Sequence, residues 1–468
     1  MAKNTYPTEV LQVQIQDLND KGQGMAVYYH PVDQAGQLAR KLRLTIPFAY
    51  PGDVVQVTVP NAKGRRRATV NYDSILTPSP DRTGQAAPGQ VPEAGAPLRY
   101  MDYSAQLAYK ENKVRDLFSQ AGFDPQAVKP ILGMDNPYHY RNKMELTFGK
   151  AGAIGMHQAG NFRVINDWQD NVLAPEIMMT VKETVASWQQ AHHLSTYDKE
   201  SRQGLLRHLM MRQSFATQEL MVAVFATESS DAYTQAAKDL VQRLQAACPQ
   251  LASLLWIENT DIADRTQAQA VTVLAGRDFI YDQLAGFRYR IWFDTFFQPN
   301  PQQAEKMVET ALNLAQIDAD MRVMDLFCGV GTFSLPLAQA AKELAGIEIV
   351  DSSIQSARRN AADNGIDNTY FLTADARSGM KTIEAEWGQP DLVLLDPPRS
   401  GAGGKVMRRI GRLGTDKIIY VSCNPATLVQ DLQWLKDFGY ELVSCQPIDQ
   451  FPQTVHVETV VLMQKVKE

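Results

Sequence analysis

The hydrophobic rhythm of the chain changes several times along its length. Between residues 8 and 72 apolar and polar positions alternate in short runs: EVLQVQIQDL, GQGMAVYYH, KLRLTIPFAY, GDVVQVTVP and RRRATVNY. A period of two marks half-buried strands, and turn signals at Asp20–Gly24 and Pro51–Asp53 separate them with no helix between. About five strands in that length predict a small OB-like β-barrel over residues 1–73. Residues 74–99 are rich in Pro, Gly, Ala and Gln, the composition of a linker. From Tyr103 to Gly122 the period becomes helical, with Leu107, Val114, Leu117 and Phe118 on one face. Residues 131–296 mix short strands (KMELTFG, MVAVFA, VTVLAG) with helices expected over 175–191 and 230–247, so that 100–295 reads as a central α+β domain.

From residue 304 helix and strand alternate. The buried-strand candidates are MRVMDLF, LAGIEIV, NTYFLTA, DLVLLDPP, KIIYVSC and ELVSCQPI, with helices expected over 302–316, 331–342, 351–364, 403–413 and 426–437. This pattern predicts a doubly wound, Rossmann-like α/β sheet over 296–468. The last run, VHVETVVLMQKV, alternates as an antiparallel edge strand would.

Composition narrows the class. A chain of 468 residues exceeds one ordinary core. Its polar start, MAKNTYPTEV, and the lack of any long apolar run predict a cytoplasmic protein with no membrane partner. The four cysteines, Cys248, Cys328, Cys423 and Cys445, have neither metal-knuckle nor disulfide-framework spacing, so no metal site is expected. His192 and His193 read as a helix end rather than as metal ligands. The net charge of −6 argues against an evenly basic nucleic-acid binder. Residues 1–75, however, hold nine Lys and Arg against six acids, a basic module on an acidic body. Lys63, Arg65, Arg66 and Arg67 are candidate phosphate contacts, or simply a solvated charge run. Tyr138, Tyr140, Arg141 and Lys143 interleave aromatic and basic groups suited to stacking on bases, though a surface strand offers the same side chains.

The chemistry gathers at strand ends. DLFCGVGT runs from a strand straight into a helix, and Gly329 and Gly331 permit a tight turn with close backbone approach to a ligand. The full dinucleotide fingerprint is missing. Glu348, at the next strand tip, can accept both hydroxyls of a ribose. Asp375, after the third strand, can accept from an adenine amino group. Nucleoside recognition without phosphate suits S-adenosylmethionine. In DPPRSG two prolines fix a rigid exit with Asp396 toward the pocket. Arg399 stands where amino-directed methyltransferases carry an aromatic residue, which weakens an amino-methylation reading. KIIYVSC stops at Cys423 because Pro425 cannot donate to a ladder and biases Asn424 away from helix. Taken alone, Cys423 could be a small buried cysteine and Glu458 a surface carboxylate. Together they supply what methylation at carbon 5 of uracil requires: a thiolate to attack carbon 6 and a base to take the proton from carbon 5. Cys328, in the glycine turn, fits a cofactor-packing role better than that of nucleophile.

FFQPN (Phe296–Asn300), DLFCGVGT, DPPRSG, SCNPATL and the closing HVE resemble the motifs of the RNA 5-methyluridine methyltransferases, over nearly the whole chain. The resemblance implies a TRAM-type barrel, a central domain and a catalytic Rossmann-like domain on which the helix near 103–122 packs. It implies a cofactor site lined by Gln298, Phe327, Glu348 and Asp396, with Asp375 beside the adenine, Cys423 as nucleophile and Glu458 as base. Gly329, Gly331 and Thr332 belong to the same turn; Thr332 stands where some relatives have Asn. Phe296, Tyr140, Arg141, Lys143 and Arg399 are the expected substrate contacts. Many members hold an iron–sulfur cluster just before the stretch matching LRYMDYSAQLAYK. That region here, VPEAGAPLRYMDY, has no cysteine, so no cluster is expected. The implied partner is RNA, with 23S rRNA favoured by the three-part layout and no obligate protein partner evident. The alternatives are a tRNA uracil-5-methyltransferase and a non-catalytic RNA-binding assembly factor.

Overall fold

The computed structural model describes residues 8–30, 41–60, 62, 65–86, 93, 95–158, 161–261 and 268–466; Lys63 lies outside them. The chain divides into two compact units, residues 1–110 with 451–455 and residues 111–450 with 456–468.

In the first unit the alternating runs form two small sheets. Thr8–Gln14, Val54–Pro60 and Tyr72–Thr77 pair antiparallel. Asp17–Leu18, Gly24–Tyr29, Lys41–Ile46 and Arg67–Thr69 make the other sheet. Leu11, Val13, Leu42, Leu44, Val55 and Val57 share one core, as the inward positions of an OB-like barrel should. The expected boundary at 73 falls inside the strand Tyr72–Thr77. The expected linker is also partly folded. The Ser79 amide donates to Asp53 Oδ1 at 2.8 Å, and Arg82 grips both carboxylate oxygens of Asp53 at 3.0 and 2.6 Å. Asp53 is fully buried, and a buried carboxylate needs such a partner. Ala96 and Leu98 are buried too, and Leu98 packs with Leu18, Tyr50, Met101 and Val455.

The second unit holds two seven-stranded sheets. The central one runs in the order Asn161–Asp167, Ile154–Gln158, Lys143–Phe148, Leu206–Gln213, Leu220–Ala226, Leu251–Glu258, Ala270–Gly276. Helices Ile177–Ala191 and Thr234–Ala247 share its core through Val181, Val185, Leu240 and Leu244. A hairpin, Phe279–Leu284 and Phe287–Trp292, follows.

The catalytic sheet comprises β1 (Arg322–Leu326), β2 (Glu343–Glu348), β3 (Thr369–Thr373), β4 (Leu392–Leu395), β5 (Lys417–Ser422), β6 (Tyr440–Ile448) and β7 (Glu458–Lys465). Their order is β3-β2-β1-β4-β5-β7-β6, parallel from β3 to β5, with β7 antiparallel to both neighbours. Here the sequence expectation fails in one respect: β7 is an interior strand, inserted between β5 and β6. Its six leading residues are all buried, because sheet partners flank it on both sides. The true edge is β6. Residues 128–132 cover it, with Lys129 N–H donating to Cys445 O at 2.8 Å and Leu132 N–H to Pro447 O at 3.0 Å. Helix Tyr103–Gln120 lays Val114 and Phe118 into the core under β1, β4 and β5, with Leu326, Val393 and Ile418.

Candidate active site

The register of β5 against β7 sets the central juxtaposition. Ser422 lies opposite Thr459 in an antiparallel pair, and Cys423 and Glu458 are the next residues outward on their two chains, within electrostatic reach of each other. β5 stops there because Asn424 turns extended and caps the next helix, Pro425–Lys436, with Pro425 in its first turn. Glu458 is buried, while Cys423 is half-exposed. Burial pushes the Cys423 thiol up to about 11, with Glu458 and Asp396 adding to the rise and Arg399 opposing it. Burial, and then Asp396, holds Glu458 well above the usual carboxylate range. These three side chains are therefore electrostatic neighbours at the carboxyl edge of the sheet.

Asp396 leaves β4 through two prolines, and desolvation pushes it up to about 7. The DPPRSG and SCNPAT turns are stitched together: Asn424 Nδ2 donates to Arg399 O at 3.1 Å and Thr427 Oγ1 to the same oxygen at 3.3 Å. Arg399 is exposed, with Nη2 3.3 Å from His456 Nδ1. Asp431 accepts from the Ala402 amide and the Tyr420 hydroxyl at 2.7 and 2.6 Å, which fixes the far side of the loop.

β1 carries the glycine turn. Phe327 sits at φ 63°, Gly329 at 54° and Gly331 at 89°. A bulky residue in that region is strained, and here the turn is held by Phe327 N–H donating to Ile347 O at 2.8 Å. A Cβ on Gly329 would meet nothing within 4 Å, so the turn opens onto free space. Thr332 is half-buried, and its carbonyl accepts from the Tyr289 hydroxyl at 3.4 Å. Cys328 is buried, and an added Cβ on Gly346 would come within 3.1 Å of its sulfur. Glu348 ends β2, with Oε1 accepting the amides of Ile349 and Val350 at 2.8 and 3.0 Å.

One carboxylate escaped the motif reading. Asp325 is buried inside β1, with Oδ2 accepting from Ser334 Oγ at 2.5 Å and Oδ1 without a hydrogen-bond partner among the described residues. Burial pushes it up to about 7 against that hydrogen bond, with Asp396 and Glu348 adding repulsion. The signal was available, since an acid within a buried strand is rarely idle. Asp375, by contrast, also serves its own helix. It caps Ala376–Trp387, accepting from the Arg377 and Ser378 amides at 3.1 and 3.2 Å and from the Ser378 hydroxyl.

The Phe296–Asn300 segment lies against the YRNK strand. Asn142 donates to Gln298 O and Pro299 O at 3.0 and 2.9 Å, and Gln450 Nε2 donates to Gln298 Oε1 at 3.3 Å. Gln298 is buried, whereas Phe296 is 68% exposed. Of the expected base-stacking groups, Tyr138 and Phe296 keep an open face. Tyr140 does not, being only 4% exposed because it packs inward. Arg141 donates to Lys143 O at 3.1 Å, and Lys143 pairs with Glu145 at 2.6 Å, so both are partly spent within the protein.

A 3-2-1-4-5-7-6 sheet with a reversed seventh strand, a glycine turn after β1 and carboxylates at the tips of its strands defines a methyltransferase that uses S-adenosylmethionine. The chain belongs to the family described as tRNA (Uracil-5-)-methyltransferase, which matches residues 102–466, and its members are S-adenosylmethionine-dependent RNA methyltransferases. An uncharacterized RNA methyltransferase of Halalkalibacterium halodurans is 34% identical over 471 residues, covering 99% of each chain. One from Lactiplantibacillus plantarum is 32% identical over 98% of this chain and 97% of its own. The structure of the Pyrococcus abyssi tRNA (uracil-54, C5)-methyltransferase in complex with S-adenosyl-L-homocysteine superposes with a TM-score of 0.73 at 24% identity. It covers 97% of this chain and 100% of that one, a likeness of fold. The residues present fit the cofactor: Asp325, Glu348 and Asp396 surround an open glycine turn, and uncompensated carboxylates suit a ligand bearing a sulfonium and an ammonium. No described helix is long and apolar enough to cross a membrane.

Proposed function

We propose that this protein methylates carbon 5 of a uridine in 23S rRNA through a covalent adduct between Cys423 and the base. The observation that carries the reading is the closeness of Cys423, just beyond the Ser422–Thr459 rung, to Glu458 and Asp396. The target uridine leaves its stack, because Cys423 must reach the face of the ring. The Cys423 thiol gives its proton to solvent as its sulfur bonds to carbon 6, and the electron pair of the 5,6 double bond moves toward oxygen 4. Carbon 5 is thereby nucleophilic. Gln298, Phe327, Glu348 and Asp396 would hold S-adenosylmethionine, whose sulfonium–methyl bond would break as carbon 5 gains the methyl group, the neutral thioether S-adenosylhomocysteine being the leaving group. Glu458 then takes the proton from carbon 5; the pair left behind re-forms the double bond and expels the Cys423 thiolate. Burial favours protonated Glu458 in the free protein, and a cation bound beside it draws it toward the carboxylate needed for that step. Phe296, with its open ring, is positioned to hold the flipped base, and Arg399 to offset charge near the thiolate.

A tRNA substrate is the second reading. The family description names tRNA, and the archaeal tRNA enzyme covers 97% of this chain, barrel included, so possession of a barrel does not separate the two. Mapping 5-methyluridine in both RNAs from a deletion strain decides it: loss from 23S rRNA alone supports the first choice, and loss confined to tRNA overturns it. For the chemistry, RNA carrying 5-fluorouridine cannot release its fluorine as a cation and should stall as an adduct on denaturing gels. Cys423→Ala should form none. No adduct with either RNA would leave only a binding protein on this fold.

A further inference from the structure

The hairpin Phe279–Trp292 carries a surface that the methyl-transfer chemistry does not use. Its outward positions are, on one strand, Phe279, Tyr281 and Gln283, and on the other Arg288, Arg290 and Trp292. The inward Ile280, Leu284, Tyr289 and Ile291 are buried. Register sets Phe279 opposite Trp292 and Tyr281 opposite Arg290. Guanidinium groups lie over the rings in sequence. Arg288 is 3.9 Å and Arg277 4.8 Å from the Tyr281 centroid. Arg277 and Arg290 stand 5.0 and 5.5 Å from Phe279, and Arg359, from helix Asp351–Asp363, is 5.6 Å from Trp292. Cation–π pairs of this kind occur roughly once per 70–80 residues, so five on one hairpin face is a concentration, not background.

Charge divides the four arginines. Arg277 is paired with Glu219, and Arg290 with both oxygens of Asp363 at 2.7 and 2.9 Å. Asp278 is engaged by the Trp292 indole at 3.2 Å. Arg288 and Arg359 are exposed and meet no carboxylate among the described residues. The rings remain partly open, and the carboxylate-paired arginines hold them in place. The second strand of the hairpin also leads straight to the candidate active site. Trp292 N–H donates to Thr295 Oγ1 at 3.0 Å, Thr295 N–H returns to Trp292 O at 3.2 Å, and exposed Phe296 follows.

We propose that this face is a second RNA-binding surface, on which bases of single-stranded RNA flanking the target uridine stack on Tyr281, Phe279 and Trp292 while Arg288 and Arg359 take phosphates. Aromatic and guanidinium planes accept any base, so the surface contributes affinity and direction rather than sequence choice. The proposal rests on RNA being the substrate, not on which RNA. Its test is binding of a labelled oligouridylate of about 16 nucleotides, followed by fluorescence anisotropy across a salt series. R288E/R359E is expected to bind about tenfold more weakly, with a salt slope shallower by one to two phosphate contacts. R288K/R359K should keep the slope and lose several-fold affinity through the missing planar stack. Affinity within about twofold of wild type, with an unchanged slope, would overturn the proposal. Should the charge reversal abolish the thermal unfolding transition, R288Q/R359Q decides on the same criteria. Wild-type binding with no 5-methyluridine lost from 23S rRNA in a deletion strain would sink the substrate assignment alone.

Discussion

The carboxyl edge of the catalytic sheet and the hairpin Phe279–Trp292 hold opposite charges short of their counterions. At the sheet edge Asp325, Glu348, Asp396 and Glu458 gather with the exposed Arg399 beside them. Burial then drives Asp325 and Asp396 up to about 7. On the hairpin the excess guanidiniums of Arg288 and Arg359 lie in solvent over aromatic rings. The difference is one of solvation. A buried excess charge is costly and changes its protonation until a ligand of opposite sign arrives, whereas an exposed excess waits at little cost. The first place therefore suits a small cation bound tightly and the second a long polyanion bound at many weak points.

The largest test of that contrast is Glu458→Gln. Removing the base should lower turnover by about 10²–10⁴-fold while leaving attack by Cys423 possible, so that natural RNA accumulates as a covalent species on denaturing gels. Unchanged turnover would remove Glu458 from the chemistry. Next in size is a pH effect. S-adenosylmethionine bears a positive sulfur that S-adenosylhomocysteine lacks. Its binding favours ionised Asp325 and Asp396, so below about pH 7 its affinity should rise with pH by up to tenfold per unit for each proton released. Calorimetry should give a shallower slope for S-adenosylhomocysteine, and equal slopes would break the argument. The same two acids make the free protein lose stability as pH rises from the ordinary carboxylate range through about 7, since the folded state holds protons that the unfolded chain releases. Thermal unfolding should show that decline, and added S-adenosylmethionine should lessen it. The smallest effect belongs to Asp375→Ala, which removes a helix cap and should cost about 1 kcal/mol in unfolding experiments. A loss of cofactor affinity beyond about tenfold would support Asp375 as the partner of the adenine.

Much of the catalytic half was legible because parallel strands are buried on both faces and read as apolar runs, so that their ends name the pocket. Pro425 dates the end of β5 in sequence, and Cys423 follows from it. What was illegible depended on partners remote in the chain. The insertion of β7 between β5 and β6 is set by pairing on both sides, which alternation cannot reveal. The supposed linker folds because Asp53, some thirty residues earlier, needs Arg82, and composition counts do not see pairs. Tyr140 and Lys143 have the residue types of a nucleic-acid contact, but one is packed inward and the other is engaged by Glu145. The hairpin could have been found: FIYDQL and FRYRIW alternate across a short Ala-Gly turn, with arginine and aromatic residues on one face.

The strip at residues 128–132 that closes the outer side of β6 has an engineering consequence. Excising the catalytic half at residue 296 would strip away that strip together with Val114 and Phe118, leaving the Cys445 and Pro447 carbonyls without their donors and an apolar patch in water. Such a fragment would present a raw β-edge to its own copies and is expected to aggregate. The chemistry of this chain is thus not a transplantable cassette, because its shelter is woven from a stretch translated long before it.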